Sequence, residues 1–452
     1  MYKGTLAVAG EFMCTRPFSR HREPEFLDLA KILREADATY CHLEMNIFKK
    51  GSSYPGRAYA VSALQADPII AEEMKWFGID LVSAAYNHGL DWGLPGLLGT
   101  IDSLDKAGLV HAGIGNNLGE AREPAYFESA AGRVAIISIS SGHHPYDSAS
   151  PAKGPDRGRP GVNPLRILQK HVVSPEDLEK LKEIWAKMGL SMRPRFFNKL
   201  DEGDLTLNSG DVGGGGANTL IFKAGEKPGL ESYINEWDLE GNIRVIRDAR
   251  KQADLVLVAH HAATNDGVRG EEPCRYVTPF AKQCIDAGAD VFIGHGWHRQ
   301  LGVELYNGKP IFYGTGNFFA QSQFMQRIPA DTYEGHGFDP DDFAKLVPSD
   351  LHDRREVGMG HWLAQPGGVI AVLGMEGGKF RDMKLHPFSL GYDYGTAGKT
   401  GPKRETGIRM EGRPVLTYGE NAEKIITHVA RLSEKFNTRI EYKDGIGILK
   451  IK

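Results

Sequence analysis

Asn87, His88 and Asp91 are spaced so that three side chains could act on one bond. They follow an apolar run, residues 79–85, that reads as a buried strand. Open α/β sheets place their sites at the C-terminal ends of strands. A neutral amide oxygen such as that of Asn87 can ligate a metal. His88, the next residue, can point at a substrate. Asp91 can return across a turn and hold the imidazole by its other nitrogen. A surface turn with a stray histidine would account for these residues equally well, so the rest of the chain has to decide.

Four more strand ends carry groups of the same kind. A short apolar strand at 6–9 stops at Gly10-Glu11, and Arg16 follows as a guanidinium suited to clamping an anion. The run 38–43 delivers Glu44. The run 254–258 ends in Ala259-His260-His261, and the run 289–293 ends in Gly294-His295-Gly-Trp-His298. Carboxylates and imidazoles converging from separate strands suit Mn²⁺, Fe²⁺ or Zn²⁺. Two ions bridged by a carboxylate can share a hydroxide and polarise a substrate oxygen. His88, oriented by Asp91, would then protonate the leaving group. A lone histidine is more often a satisfied polar residue than a ligand. Five strand ends carrying such groups favour a metal site.

The elements that must position these residues alternate. Strand 6–9 is followed by a helical pattern at 25–36, strand 38–43, a helix after Asp67-Pro68, strand 79–85, an amphipathic helix at 93–107 and strand 133–138. That order implies a layered α/β sheet. Regularity fails between 143 and 241, where loops rich in Pro and Gly surround one well-capped helix after Ser174. This stretch reads as an insertion lying over the site, a lid or substrate-loop region. His143, His144 and Asp147 within it are candidate alternative metal or substrate contacts, although adjacent loop histidines are more often surface residues. The α/β pattern resumes at 242–390. There the strands ending at His261 and His298 are followed by a hairpin turning at Asn307-Gly308. Residues 391–452 read as a small α+β appendage that serves packing or contact between copies in a homo-oligomer.

Composition bounds the answer. The chain has 452 residues, 41% hydrophobic and 25% charged, with a formal net charge of -4. That is ordinary globular composition, with no general pull toward nucleic acid or an anionic membrane. Cys14, Cys41, Cys274 and Cys284 are scattered without CxxC spacing, which fits reduced thiols in a cytoplasmic protein. The first ten residues turn polar too quickly for a signal peptide, and no apolar run is long enough for a membrane span.

Taken in order, the motifs resemble the CapA family, named for a poly-γ-glutamate capsule protein, within the calcineurin-like metallophosphoesterase superfamily. The matching stretches are Gly10-Glu11 to Arg16, His42-Leu43-Glu44, Asn87-His88-Gly-Leu-Asp91-Trp-Gly93, Gly113 to Ala121 and Gly294-His295-Gly-Trp-His298. The match continues through Glu304 to Tyr313 and Gly316-Asn317-Phe318. The resemblance implies a four-layer α/β/β/α sandwich holding a metal pair. By position it implies Glu11, Glu44, Asn87, His261, His295 and His298 as metal ligands, with Glu44 bridging. It implies His88 as the catalytic histidine, Asp91 as its partner, and His260 as a poorer match than His261. Two departures stand out. Glu11 replaces the usual aspartate, and Met13 stands where the superfamily has a histidine, so a single-metal enzyme is an alternative. The expectation is a cytoplasmic, metal-dependent hydrolase binding one or two Mn, Zn or Fe ions. A metal-bound hydroxide would act on a small anionic substrate, at a phosphoester or a γ-glutamyl amide. The rival is a non-catalytic, metal-stabilised binding or assembly protein in anionic polymer synthesis.

Overall fold

The computed structural model describes the chain except for residues 57–62, 190–202, 209–218, 263–269, 322–326, 343–344, 347–366, 391–411 and 452. The glycine-dense 210–216 stretch therefore lies outside the described residues.

Two large sheets organise the rest. In the first, strands Gly4–Met13, Ala38–Leu43, Leu81–Ser83 and Val110–Ala112 run parallel in that order. On the other side of Gly4–Met13, strand Gly367–Glu376 pairs antiparallel, followed by Lys379–Ser389. In the second sheet, Gly132–Ser140, Leu255–His261, Val291–His295 and Lys309–Phe312 run parallel. Strands covered on both faces read as nearly continuous apolar runs, which is why these were visible in the sequence.

Side chains alternate across a strand, so each sheet feeds two cores. Leu6, Val8, Tyr40 and Leu81 of the first sheet share a buried cluster with Ile136, Leu257 and Ile293 of the second. Ala7 and Ala9 turn the other way, toward Leu29 and Leu33 of helix Pro24–Glu35 and Met74 of helix Ile69–Phe77. Val256 and Val258 likewise turn to Ile246 of helix Glu236–Gln252 and Phe280 of helix Val277–Ala287. The sheets thus face each other, with helices on their outer sides. The helix expected from 240 starts earlier because the Asn235 side chain accepts the N–H of Asp238 as an N-cap.

Three expectations need correction. The first strand does not stop at Gly10-Glu11. It shifts register there and continues to Met13, because Phe12 and Met13 pair with Phe319 and Ala320. Only glycine fits at position 10: a Cβ there would lie 2.1 Å from the Gly316 carbonyl oxygen, which accepts the Glu11 N–H at 2.8 Å. Second, the 143–241 region is not simply loops. Leu205–Asn208, Thr219–Ala224, Ile167–Val173 and Gly229–Ile234 form a four-stranded sheet carrying helix Pro175–Lys187. Ile167–Val173 and Gly229–Ile234 are largely half-buried or exposed and interrupted by polar residues, unlike the apolar runs of the main sheets. Third, the tail is no separate appendage. Strand Ile446–Lys450 pairs with Lys379–Ser389 and extends the first sheet, and helix Gly419–Glu434 buries Ile426 and Val429 in the core between the sheets. Among the described residues, no helix is long and apolar enough to cross a membrane.

Candidate metal centre

The parallel strands of both sheets deliver their C-terminal ends to one place. Glu11 lies near the end of Gly4–Met13, Glu44 just after Ala38–Leu43, and Asn87 and His88 shortly after Leu81–Ser83. His261 and His295 end two neighbouring strands of the second sheet and pair in register. Glu11, Glu44 and His261 are buried, whereas the side chains of His88 and His298 keep 20% and 19% exposure. Those two imidazoles form the accessible edge.

Among the described residues, two groups of three side chains present ligand atoms within 4.8 Å of one another. One is Glu11, Glu44 and His298; the other is His42, Glu44 and His261. Glu44 belongs to both. Its Oε1 lies 3.5 Å from His298 Nε2 and 3.8 Å from His261 Nε2. His298 Nδ1 is 2.6 Å from Glu11 Oε2 and 2.9 Å from Asn317 Oδ1. The other Glu11 oxygen accepts the Gly296 N–H at 2.7 Å. This places a left-handed turn under the carboxylate, with φ of 105° at Gly296 and 54° at His298. A non-glycine residue in that region is uncommon and concentrates at functional sites.

Asn87 Oδ1 lies 2.9 Å from His261 Nε2, and Asn87 Nδ2 lies 3.2 Å from His88 Nε2. His88 Nδ1 is 2.7 Å from Asp91 Oδ2, so the spacing read from the sequence does bring imidazole and carboxylate together. Arg16 is exposed beyond the end of the first strand, and its backbone carbonyl accepts from Cys14 Sγ. His295 is fully buried, and its Nε2 lies 2.7 Å from Tyr40 Oη. His260 faces away into the outer core among Tyr276, Phe280 and Phe292, with Ser141 Oγ 2.9 Å from its Nε2. His143 lies beside Ser148 Oγ, and His144 stacks on Tyr146. Neither belongs to the two ligand groups.

The electrostatics fit a cation. Burial opposes charge on both glutamates, and for Glu44, where the Glu11 carboxylate adds repulsion, the pKa rises. At Glu11 the same burial is outweighed by His298 and the Gly296 N–H, and the pKa falls. Burial pushes against a charged His298, but Glu44 and Glu11 prevail and raise it. Glu44 Oε2 is buried with no hydrogen-bond partner among the described residues. A divalent ion between two carboxylates and imidazoles would remove that repulsion and use that oxygen. Met13, a departure in the sequence from the histidine that the resemblance would place there, packs into the apolar cluster with Phe12 and Phe319.

The strand-end pattern missed His42, Tyr40 and Ser83. A signal existed: with Glu44 at a site, the period of a strand puts Tyr40 and His42 on the same side.

Fold and cluster define an α/β protein with a buried carboxylate–histidine centre between two sheets. The model of the family described as bacterial capsule synthesis protein PGA_cap matches residues 5–322, and the chain belongs to that family. It is similar to protein y4sH of Sinorhizobium fredii (strain NBRC 101917 / NGR234), 30% identical over 456 residues, covering 99% of this chain and 93% of that one. Shorter matches reach the PGA biosynthesis protein CapA of Bacillus subtilis, 38% identical over 18% of this chain and 20% of that protein. Another reaches a probable polyglutamine synthesis accessory protein of Mycobacterium tuberculosis, 34% identical over 21% of each chain.

Proposed function

We propose that this protein is a metal-dependent hydrolase acting on a small anionic substrate, at a phosphoester or a γ-glutamyl amide. The observation that carries the reading is Glu44, one carboxylate shared by two ligand groups, with the His88–Asp91 pair at the open edge beside them. Glu11, Glu44 and His298 would hold one divalent ion; Glu44 and His261 of the second group would hold another with the Asn87 oxygen, since His42 Nε2 is engaged by His261 Nδ1. Bound there, Mn, Zn or Fe would supply Lewis acidity and an activated water. The chain's own residues do the rest. Asp91 holds His88 Nδ1, which leaves Nε2 facing Asn87 and the centre as the nitrogen that carries the proton to the leaving group. Arg16 binds the anionic part of the substrate. The two sheets with outer helices support a four-layer α/β/β/α arrangement, and the 143–241 region would serve as its lid or substrate-loop region. Four buried free cysteines fit a reducing, cytoplasmic setting.

A second reading comes from the names of relatives. One is called a biosynthesis protein and another a synthesis accessory protein, which suggests a metal-stabilised, non-catalytic member. The His88–Asp91 pair separates the two, since a structural site has no use for it. Turnover of a panel of phosphoesters and γ-glutamyl amides by the manganese- or zinc-loaded protein tests the choice. Hydrolysis that is lost in His88→Ala supports the enzyme, and no hydrolysis of any member supports the accessory protein.

A further inference from the structure

Both ring nitrogens of His42 are engaged. Nε2 lies 3.0 Å from His261 Nδ1, and Nδ1 lies 2.7 Å from Ser83 Oγ. The row continues from Ser83 Oγ to Tyr40 Oη at 2.6 Å, and from Tyr40 Oη to His295 Nε2 at 2.7 Å. It crosses from one sheet to the other and back. All five side chains are buried. The His42 and His295 rings stack with centroids 4.1 Å apart, so neither can turn without disturbing the other.

The hydrogens in this row can be counted. Tyr40 and Ser83 each have a single O–H, and a neutral imidazole has a single N–H. Burial favours the neutral rings. Each contact then holds one hydrogen only if the whole row points one way. In one direction, His295 Nε2–H donates to Tyr40, Tyr40 to Ser83, Ser83 to His42 Nδ1, and His42 Nε2–H to His261 Nδ1. His261 is then left with a hydrogen on Nε2, facing Asn87 Oδ1 at 2.9 Å. In the other direction His261 Nδ1–H donates to His42, and the row ends by donating into His295 Nε2. The three histidines therefore share one tautomer.

We infer that Tyr40, Ser83 and His42 are positioning residues that set which nitrogen of His261 is bare toward the metal centre. The inference rests on the metal-centre reading above. Only the direction that leaves His261 allows its Nε2 lone pair to face Glu44 and Asn87. Reversing the row gives up one proton at His261 Nε2 and gains one at His295 Nδ1, which is buried, so both ends exchange with solvent only when the row opens transiently. The groups between pass theirs along, and the charge of the row is unchanged. His295, whose Nε2 is committed to Tyr40, anchors the far end rather than ligating. None of these residues touches a substrate; they act through His261 as second partners of a metal ligand commonly do.

The test is long-range ¹H–¹⁵N correlation on the full chain labelled with ¹⁵N-histidine, metal-free and zinc-loaded. The metal-free protein should show His42, His261 and His295 all protonated on Nε2. Zinc should move His42 and His295 to Nδ1 and leave His261 Nδ1–H with a zinc-shifted Nε2. Ser83→Ala should uncouple His295 from His42 and weaken zinc binding by ~10-fold or more, with Ser83→Thr restoring both. Tyr40→Phe should uncouple His295 in the same way if Ser83→Ala does not fold. Different tautomers at His42 and His261 in the native protein would overturn the inference. If the metal-free rings are aligned but zinc changes none of them, the relay stands and the metal reading fails.

Discussion

His88 Nδ1 lies 2.7 Å from Asp91 Oδ2 across a tight turn, with the carboxylate buried and the imidazole partly open. The pair fixes the ring without using its Nε2 for structure beyond the contact with Asn87. His88→Ala should leave metal content unchanged and lower kcat by about 10²–10⁴-fold, the range for a lost general acid. Asp91→Asn should fall between the two. Parallel measurements of metal content and steady-state rates on a responsive phosphoester or γ-glutamyl amide check this. Full activity in His88→Ala would remove it from the mechanism.

Asp238 is completely buried and accepts from Arg166 through its backbone N–H at 2.9 Å and its guanidinium at 2.6 and 2.9 Å. Arg122, itself nearly buried, approaches the same carboxylate at 3.4 Å. The aspartate joins helix Glu236–Gln252 to the strands of the 143–241 region. Asp238→Ala strands the buried Arg122 charge and should destabilise the protein by about 3–5 kcal/mol. A urea midpoint that does not move would show that the region is held by other contacts.

How much of this was legible follows from what each residue borders. Glu44, His261 and His298 follow apolar runs buried on both faces, so both the strands and their polar ends stood out. His42 and Tyr40 lie inside such a run, where burial hides function, and they surfaced only when two sheets came together across His261 and His295. His295 looked the same as His261 in sequence, because register on paired strands says nothing about which ring nitrogen meets which neighbour. The tail was legible as helix and strands, but not as part of the main sheet. The pairing of Ile446–Lys450 with Lys379–Ser389 spans a separation no local pattern encodes.

His260 has no exposure, and burial lowers its pKa to about 3. The unfolded chain binds its proton near pH 6.5, so between those values the unfolded state carries more protons and stability falls as pH falls. The stabilising contribution is complete above about pH 6.5 and is lost progressively toward pH 3. One such group gives a slope of about 1.4 kcal/mol per pH unit in that window. His260→Phe, which suits the surrounding Phe280 and Phe292, should reduce the slope by that amount in denaturant titrations from pH 7 to pH 4. An unchanged slope would place the acid sensitivity elsewhere.

Glu44 belongs to both ligand groups, so its loss should empty the whole centre. The most direct test is metal content by mass spectrometry on protein purified without a chelating tag, beside Glu44→Gln and His260→Phe. The native protein and His260→Phe should each carry one to two transition-metal ions per chain, and Glu44→Gln should lose all of them. A native protein that carries none and takes up none on reconstitution, or a Glu44→Gln variant that keeps its full complement, would contradict it.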